Sequence, residues 1–267
     1  MEYRKVMVPL SLLTKNAINI VLEAGEILSR GFGSISQKTM KPGKQNFATQ
    51  YDYASEAHII ESLRKIYPTH AFIAEESGAT TPEQAEVVWI IDPLDGTLNF
   101  AHHIPIFCIS VAAWGTDGLL SGVIYQPMSK ELFVAERGKG AYLNGKRLQV
   151  SKTERLADSL GATGFPRNIQ NNPHNCVTDF IRILEQGTVV RNMGSSALNL
   201  AYVAAGCFDA YWAVSLHSWD IAAGLLLIQE AGGKATNYQG EFYHVLSNSP
   251  LAVSNGHLHD ELLKYLN

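Results

Sequence analysis

The sequence predicts a mixed α/β protein, and three observations carry that prediction. Two segments near the start hold apolar residues at helical spacing, a series of short apolar runs with turn signals follows, and from about residue 151 strand-like and helix-like segments alternate. Residues 1–150 therefore read as helices followed by an antiparallel sheet, and residues 151–267 as an α/β layer. The pattern changes around Ser151 to Leu156 without a Pro/Ser-rich linker, so the halves are expected to form one compact unit.

Each element has its own signal. Leu13, Ala17, Ile20, Ala24 and Ile27 recur at helical spacing over residues 11–31, and Gly31 ends the run. Residues 33–50 are polar, with Lys38, Lys41, Pro42, Gly43 and Lys44, and read as a mobile loop or a short hairpin. A second helix carries Ala57, Ile60, Leu63 and Ile66, with Asp52 as its N-cap, and stops before Pro68. Ala71 to Ala74 reads as a short strand delivering Glu75-Glu76-Ser77, and Val87 to Ile91 as a buried strand. Cys108 to Trp114, Leu119 to Tyr125 and Glu131 to Glu136 continue as a meander, and Asn144-Gly145 marks a hairpin turn at positive φ. Beyond it, strands at Leu160 to Thr163, Val189 to Arg191 and Asp209 to Ala213 alternate with helices at 174–186, Ser195 to Ala205 and Asp220 to Ala231, and a strand follows the last.

Composition narrows the function. With 267 residues, 46% of them hydrophobic, the chain can bury a large core. The net charge is −4 and no Lys/Arg cluster runs along it, so nucleic acid is not an expected partner. No apolar stretch is long enough for a membrane span. The run Val6 to Leu13 is short and holds Pro9, unlike a signal peptide. Cys108, Cys176 and Cys207 are scattered, without zinc-ligand spacing, and read as reduced thiols of a cytoplasmic protein.

The chemistry concentrates in Asp92-Pro93-Leu94-Asp95-Gly96-Thr97, directly after the Val87 to Ile91 strand. Carboxylates are hard ligands suited to Mg²⁺, Mn²⁺ or Ca²⁺, and the glycine and backbone amides behind them suit an anion. Glu75 follows another apolar run, and Asp220 follows Trp219 at a helical start. Any one of these acids alone reads as a turn former or helix cap. Four together repel unless cations neutralise them, and two metals can clamp an in-line phosphoryl displacement. Gly194-Ser195-Ser196 opens another helix that suits a phosphate, although alone it reads as an ordinary N-cap.

These motifs resemble the inositol monophosphatase family of Mg²⁺-dependent, lithium-sensitive sugar phosphatases, from about residue 13 to 265. Its first signature is matched by Trp89-Ile90-Ile91-Asp92-Pro93-Leu94-Asp95-Gly96-Thr97-Leu98-Asn99-Phe100, and its second by Trp219-Asp220-Ile221-Ala222-Ala223-Gly224 with Glu230-Ala231-Gly232-Gly233. Glu75-Glu76-Ser77 and Thr49-Gln50-Tyr51-Asp52 match two further steps.

The resemblance implies a layered α-β-α-β-α sandwich and a homodimer. It implies a first metal on Glu75, Asp92 and the Leu94 carbonyl, a second on Asp92, Asp95 and Asp220, and a weaker third at Glu75. It makes Thr97, with Asp52 behind it, the pair that deprotonates the attacking water, and gives phosphate oxygens to the Gly96 and Thr97 amides. It places Gly194, Ser195, Ser196, Ala213 and Asp220 against the substrate, a small phosphate monoester. Relatives that prefer inositol phosphates commonly carry Glu at the Ala213 position and Ala at the Ser196 position, and many carry Asp where Asn46 stands, a position expected to shape its loop. Alanine accepts no hydrogen bond from a ring hydroxyl. Fructose 1,6-bisphosphate, histidinol phosphate, NADP and 3′-phosphoadenosine nucleotides therefore stay open as substrates, the nucleotides less favoured because no basic or aromatic adenosine pocket stands out. A metal-stabilised regulatory binding protein is the reading from another class.

Several residues are set aside. His217 reads as a supporting or core histidine, His102-His103 as exposed, Trp212 and Trp219 as core, Cys108 as inert and Lys41 as a solvated loop lysine.

Overall fold

Ser11 starts the first helix: its Oγ accepts the Thr14 amide at 3.3 Å, and α1 (Leu12–Gly31) follows. The computed structural model describes residues 9–35, 37–42, 46–80 and 85–266; Gly43 and Lys44, and the first residues of the Val6 to Leu13 run, lie outside them. The polar stretch after α1 is a hairpin of β1 (Lys38–Met40) and β2 (Phe47–Thr49), closed from the Asn46 side, where Asn46 Nδ2 donates to the Pro42 carbonyl at 2.8 Å.

α2 (Gln50–Ile66) begins earlier than expected, and Asp52 is its third residue rather than its cap. Thr49 caps instead, because its Oγ1 accepts the Tyr51 amide while Asp52 Oδ2 accepts the Thr49 amide at 2.7 Å.

The large sheet has eight strands in the order β10-β9-β8-β7-β6-β5-β3-β4. They are β3 (Ala71–Ala74), β4 (Gly78–Thr80), β5 (Val87–Asp95), β6 (Cys108–Gly115), β7 (Gly118–Gln126), β8 (Glu131–Glu136), β9 (Gly140–Leu143) and β10 (Lys146–Arg147). The expectation of an antiparallel sheet holds except at β3 and β5, which pair in parallel. β5 runs past Ile91 to Asp95, with an irregularity in its pairing to β6 between Asp92 and Asp95. The acids thus sit inside the strand's second half, not after it. Asn144 and Gly145 turn β9 into β10 with φ of 48° and 80°.

The second sheet has the order β12-β11-β13-β15-β14, made of β11 (Leu160–Gly164), β12 (Val189–Arg191), β13 (Ala210–Ala213), β14 (Lys234–Asn237) and β15 (Leu251–Ser254). β12, β11 and β13 run parallel, and β15 joins antiparallel. α4 (Cys176–Glu185), α5 (Ser196–Ala204), α6 (Ser218–Glu230) and α7 (His259–Leu263) complete the fold, after the short α3 (Thr97–Ala101). α6 begins before Asp220, which is its third residue.

Side-chain alternation shows the layering. Trp89 and Ile91 of β5 pack with α1 and α2, whereas Ile90 packs with α5 and α6. Tyr211 and Ala213 of β13 join that same central cluster, and Ala210 and Trp212 face the cluster that holds Ile183 of α4 and Leu262 of α7. The order is helix, sheet, helix, sheet, helix, as expected. α6 lies in the middle and buries every residue from Ile221 to Ile228, so it is apolar all round. Among the described residues no helix is long and apolar enough to cross a membrane.

His259 locks α7 onto the second sheet. Its ring is fully buried and bonds Thr236 Oγ1 and Ser254 Oγ, each at 2.9 Å. Burial, then the nearby Lys234 ammonium, push its pKa down to about 4. The unfolded state therefore binds more protons between that value and the ordinary histidine range, and this contribution to stability is lost as pH falls through the window. The stability gap between wild type and His259→Gln is expected to narrow as thermal melts move from neutral pH toward the lower value; a constant gap would contradict a buried neutral imidazole.

Candidate active site

Six element ends meet beside the central helix layer. β5 supplies Asp92, Leu94 and Asp95; the turn after β3 supplies Glu75; α6 supplies Asp220; α2 supplies Asp52; α3 begins with Thr97 after Gly96; and α5 is capped by Ser195. Direct contacts tie these ends together. The Glu75 amide donates to the Ile91 carbonyl at 3.2 Å, and Ser110 Oγ donates to the Trp219 carbonyl at 3.4 Å.

Each acid is held by protein donors. Asp92 Oδ1 accepts the Leu94 amide at 3.0 Å. Asp95 Oδ2 accepts Ser195 Oγ at 2.6 Å and the Ala197 amide at 2.7 Å, so the N-terminus of α5 receives this carboxylate. Asp220 Oδ2 accepts the His217 amide at 2.7 Å. Thr97 Oγ1 lies 3.0 Å from both Asp52 Oδ1 and the Leu94 carbonyl, and its single proton serves one of them at a time.

Burial dominates the electrostatics. It raises Asp92 and Asp220 well above the carboxylate range, and Glu75 and Asp95 push both further in the same direction. Asp95 rises to about 6 and Asp52 to about 6, burial being the main cause for both despite their hydrogen bonds. The mutual repulsion places Glu75, Asp92, Asp95 and Asp220 in one pocket.

Two turns depend on glycine. Gly96 has φ of 95°, and a Cβ there would stand 3.0 Å from the Ile106 carbonyl. Gly194 has φ of 75°, and a Cβ there would meet Asn99 Nδ2 at 2.8 Å; that amide donates to the carbonyls of Ile106 and Met193, each at 2.8 Å.

Several sequence readings change. Lys41 is no solvated lysine: its Nζ bonds Glu75 Oε1 at 2.9 Å and Glu76 Oε1 at 2.6 Å. Burial works against its charge, but the two glutamates hold its pKa up at about 12. His217 is exposed, stacked on Trp219 at 4.6 Å between ring centres, rather than in the core, and Trp219 is only half-buried. His102 and His103 are exposed and Cys108 is buried, as expected. Ser196 Oγ takes the Tyr211 hydroxyl at 3.1 Å, and Ala213 is buried at the end of β13.

Sequence reasoning missed Glu56, whose carboxylate accepts the Glu76 and Ser77 amides at 2.9 and 2.8 Å and so fixes the turn that bears Glu75. The signal was available: Glu56 lies four residues after Asp52, on the same helix face.

Among the described residues no three His, Cys, Asp or Glu side chains stand together as a ready metal centre. Glu75 is turned to Lys41, and Asp95 to α5. The donor chemistry nevertheless fits a hard divalent cation. Asp92 Oδ2 and Asp220 Oδ1 take no hydrogen bond from the described residues, and burial penalises both charges.

Fold and site together define a layered α/β protein with a buried acid cluster at the ends of its central elements. The chain belongs to the inositol monophosphatase family, whose model matches residues 10–267. It is 39% identical over 256 residues to an inositol-1-monophosphatase of Mesorhizobium japonicum, covering 95% of this chain and 96% of that one. It is 41% identical over 233 residues to the Nus factor SuhB of Pseudomonas aeruginosa, covering 84% of each. Among solved structures, the extragenic suppressor protein SuhB of Bartonella henselae superposes with a TM-score of 0.91 at 35% identity, over 96% of this chain and 99% of the other. The inositol monophosphatase of Anabaena gives 0.85 at 36% identity, over 95% and 94%. Membership supports phosphatase activity on a small phosphate ester.

Removing the Ser195 hydroxyl tests how Asp95 is held. Ser195→Ala is expected to cost about 1 kcal/mol of stability through the lost cap. It should also move the Asp95 carboxyl titration, followed by NMR, above its wild-type value, while Ser195→Thr retains both. An unmoved titration would show that the hydroxyl does not hold the carboxylate.

Proposed function

We propose that the chain is a Mg²⁺-dependent phosphomonoesterase acting on myo-inositol monophosphate or a similar polyol or sugar phosphate. The observation that carries this is the buried cluster of Glu75, Asp92, Asp95 and Asp220 beside the Thr97–Asp52 pair.

Glu75, Asp92 and the Leu94 carbonyl would hold one Mg²⁺, and Asp92, Asp95 and Asp220 a second; Glu75 is the place for a weaker third, and Mn²⁺ suits the same oxygens. When bound, such ions lower the pKa of water and absorb the charge that develops on a phosphoryl group.

The chain's own residues do the rest. Asp52 is fixed through Oδ2 by the Thr49 amide and hydroxyl, at 2.7 and 2.6 Å, which leaves Oδ1 to Thr97. Thr97 Oγ1 takes a proton from the attacking water as its own proton passes to Asp52. A pKa of about 6 keeps Asp52 mostly ionised at neutrality yet basic enough to accept that proton. The amides of Gly96 and Thr97 are the positions for phosphate oxygens, since the left-handed turn at Gly96 opens α3 there. Asp95, Ser196 and Asp220 border the leaving alcohol. Family resemblance and the free cysteines Cys108, Cys176 and Cys207 support a homodimer in the cytoplasm.

Relatives named Nus factor SuhB keep a regulatory binding role as the second reading. The complete set of Thr97, Asp52 and four acids favours catalysis.

Purified protein is expected to release phosphate from myo-inositol 1-phosphate or another ester of a broad panel with Mg²⁺, and not with EDTA. Mg²⁺ should raise the melting temperature of the wild type but not of Asp92→Asn, which should be inactive, and millimolar Li⁺ should inhibit uncompetitively. No turnover across the panel by intact, metal-replete protein would overturn the phosphatase reading.

Thr97→Val and Asp52→Asn should each lower kcat by roughly 100-fold or more with little change in KM. The wild-type rate should rise as pH passes through about 6, because only ionised Asp52 accepts the proton. A large rise in KM with unchanged kcat would assign the pair to binding alone.

A further inference from the structure

The substrate side of the pocket has a wall that the acid cluster does not supply. β12, β11 and β13 run parallel, and Gly164 pairs with Ala213 at their C-terminal ends. Ligands bind outside the carboxyl ends of parallel strands where the strand order reverses. Here β13 is flanked by parallel β11 on one side and antiparallel β15 on the other.

Three features define the chemistry of that edge. Tyr211 feels the charges of Asp220 and Asp95, so its face of β13 looks toward the acids. Ala213 lies two residues on, on the same face, and offers a methyl group where a hydroxyl-binding site needs an acceptor. The Tyr211 hydroxyl is engaged with Ser196.

Arg167 stands three residues beyond β11. Phe165 is anchored edge-on against Phe180 of α4, with ring centres 5.2 Å apart, and the Ile169 amide bonds the Pro166 carbonyl at 3.1 Å. These contacts fix both flanks of Arg167, and its charge reaches Asp220. Arg167 is exposed and makes no ion pair or hydrogen bond among the described residues. It is a guanidinium at the mouth, with a fork that matches phosphate oxygens and no acid bound to it.

We infer that Arg167 receives a second phosphate on the leaving alcohol, so that this chain prefers phosphate monoesters whose alcohol carries another phosphate over neutral polyol phosphates. The inference rests on the phosphatase reading and names its substrate class. The reactive phosphate stays at the acid cluster, while the second phosphate bridges to the β11–β13 edge and replaces the hydroxyl contacts that Ala213 cannot make. Arg167 is a specificity residue and takes no part in the bond cleavage.

The test uses matched pairs: fructose 1,6-bisphosphate against fructose 1-phosphate, and adenosine 3′,5′-bisphosphate against adenosine 3′-phosphate, each with Mg²⁺. The wild type should show at least about tenfold higher kcat/KM for the bisphosphate of one pair, the size of a charged hydrogen bond. The pair that shows it tells a sugar frame from a nucleoside frame. Arg167→Gln should remove that advantage, leave the monophosphate within about twofold and leave the melting temperature unchanged. Arg167→Lys should keep part of it, because a point charge replaces the fork. Equal kcat/KM within both pairs, or an equal loss for both partners in Arg167→Gln, would overturn the inference while leaving the phosphatase reading intact. No phosphate release from any of the four esters or from inositol phosphate would defeat both.

Discussion

The fold is organised around an electrostatic problem: several carboxylates brought together away from water. Left alone, each would prefer to be protonated, and burial together with mutual repulsion shifts Asp92, Asp95 and Asp220 in that direction. The architecture answers with oriented amides. The start of α5 faces Asp95, the start of α6 contains Asp220, and the start of α2 contains Asp52. Layering a helix pair between two sheets is what lets helix starts from different parts of the chain meet the second half of β5. Lys41 adds a positive charge at the Glu75 side.

Much of this was legible in the sequence. Period-two and helical spacing marked nearly every element, and Asn144-Gly145 marked its turn, because each signal is local. The starts of α2 and α6 were misread by two or three residues, since an acid at the third helical position can cap the chain from inside as well as from the cap position. The length of β5 was also missed: Pro93 and two aspartates read as a strand end, yet the pairing with β6 continues across an irregularity to Asp95. The family resemblance, not periodicity, supplied the five-layer arrangement.

The acids of the site were legible because they cluster at element ends in an unusual composition. Their supports were not. Glu56 holds a turn twenty residues away in sequence, and Lys41 crosses from a hairpin to two glutamates beyond the next helix. Such contacts depend on how elements pack, which no local window contains. Family membership and site geometry answer different questions here. The first supports phosphate-ester chemistry, and the second shows which groups on this chain are placed to shape its substrate range.

The central position of α6 has a consequence for how such a protein can diverge. A helix enclosed on every side tolerates little drift, because any change of volume must be absorbed by two sheets at once. Asp220 and its neighbours are therefore tied to the least mutable layer. Positions 167, 196 and 213 lie instead around the edge of the smaller sheet, one of them fully exposed to solvent. New preferences can arise there by single replacements while the reaction chemistry is inherited unchanged, which makes the outer rim the evolvable part of the molecule.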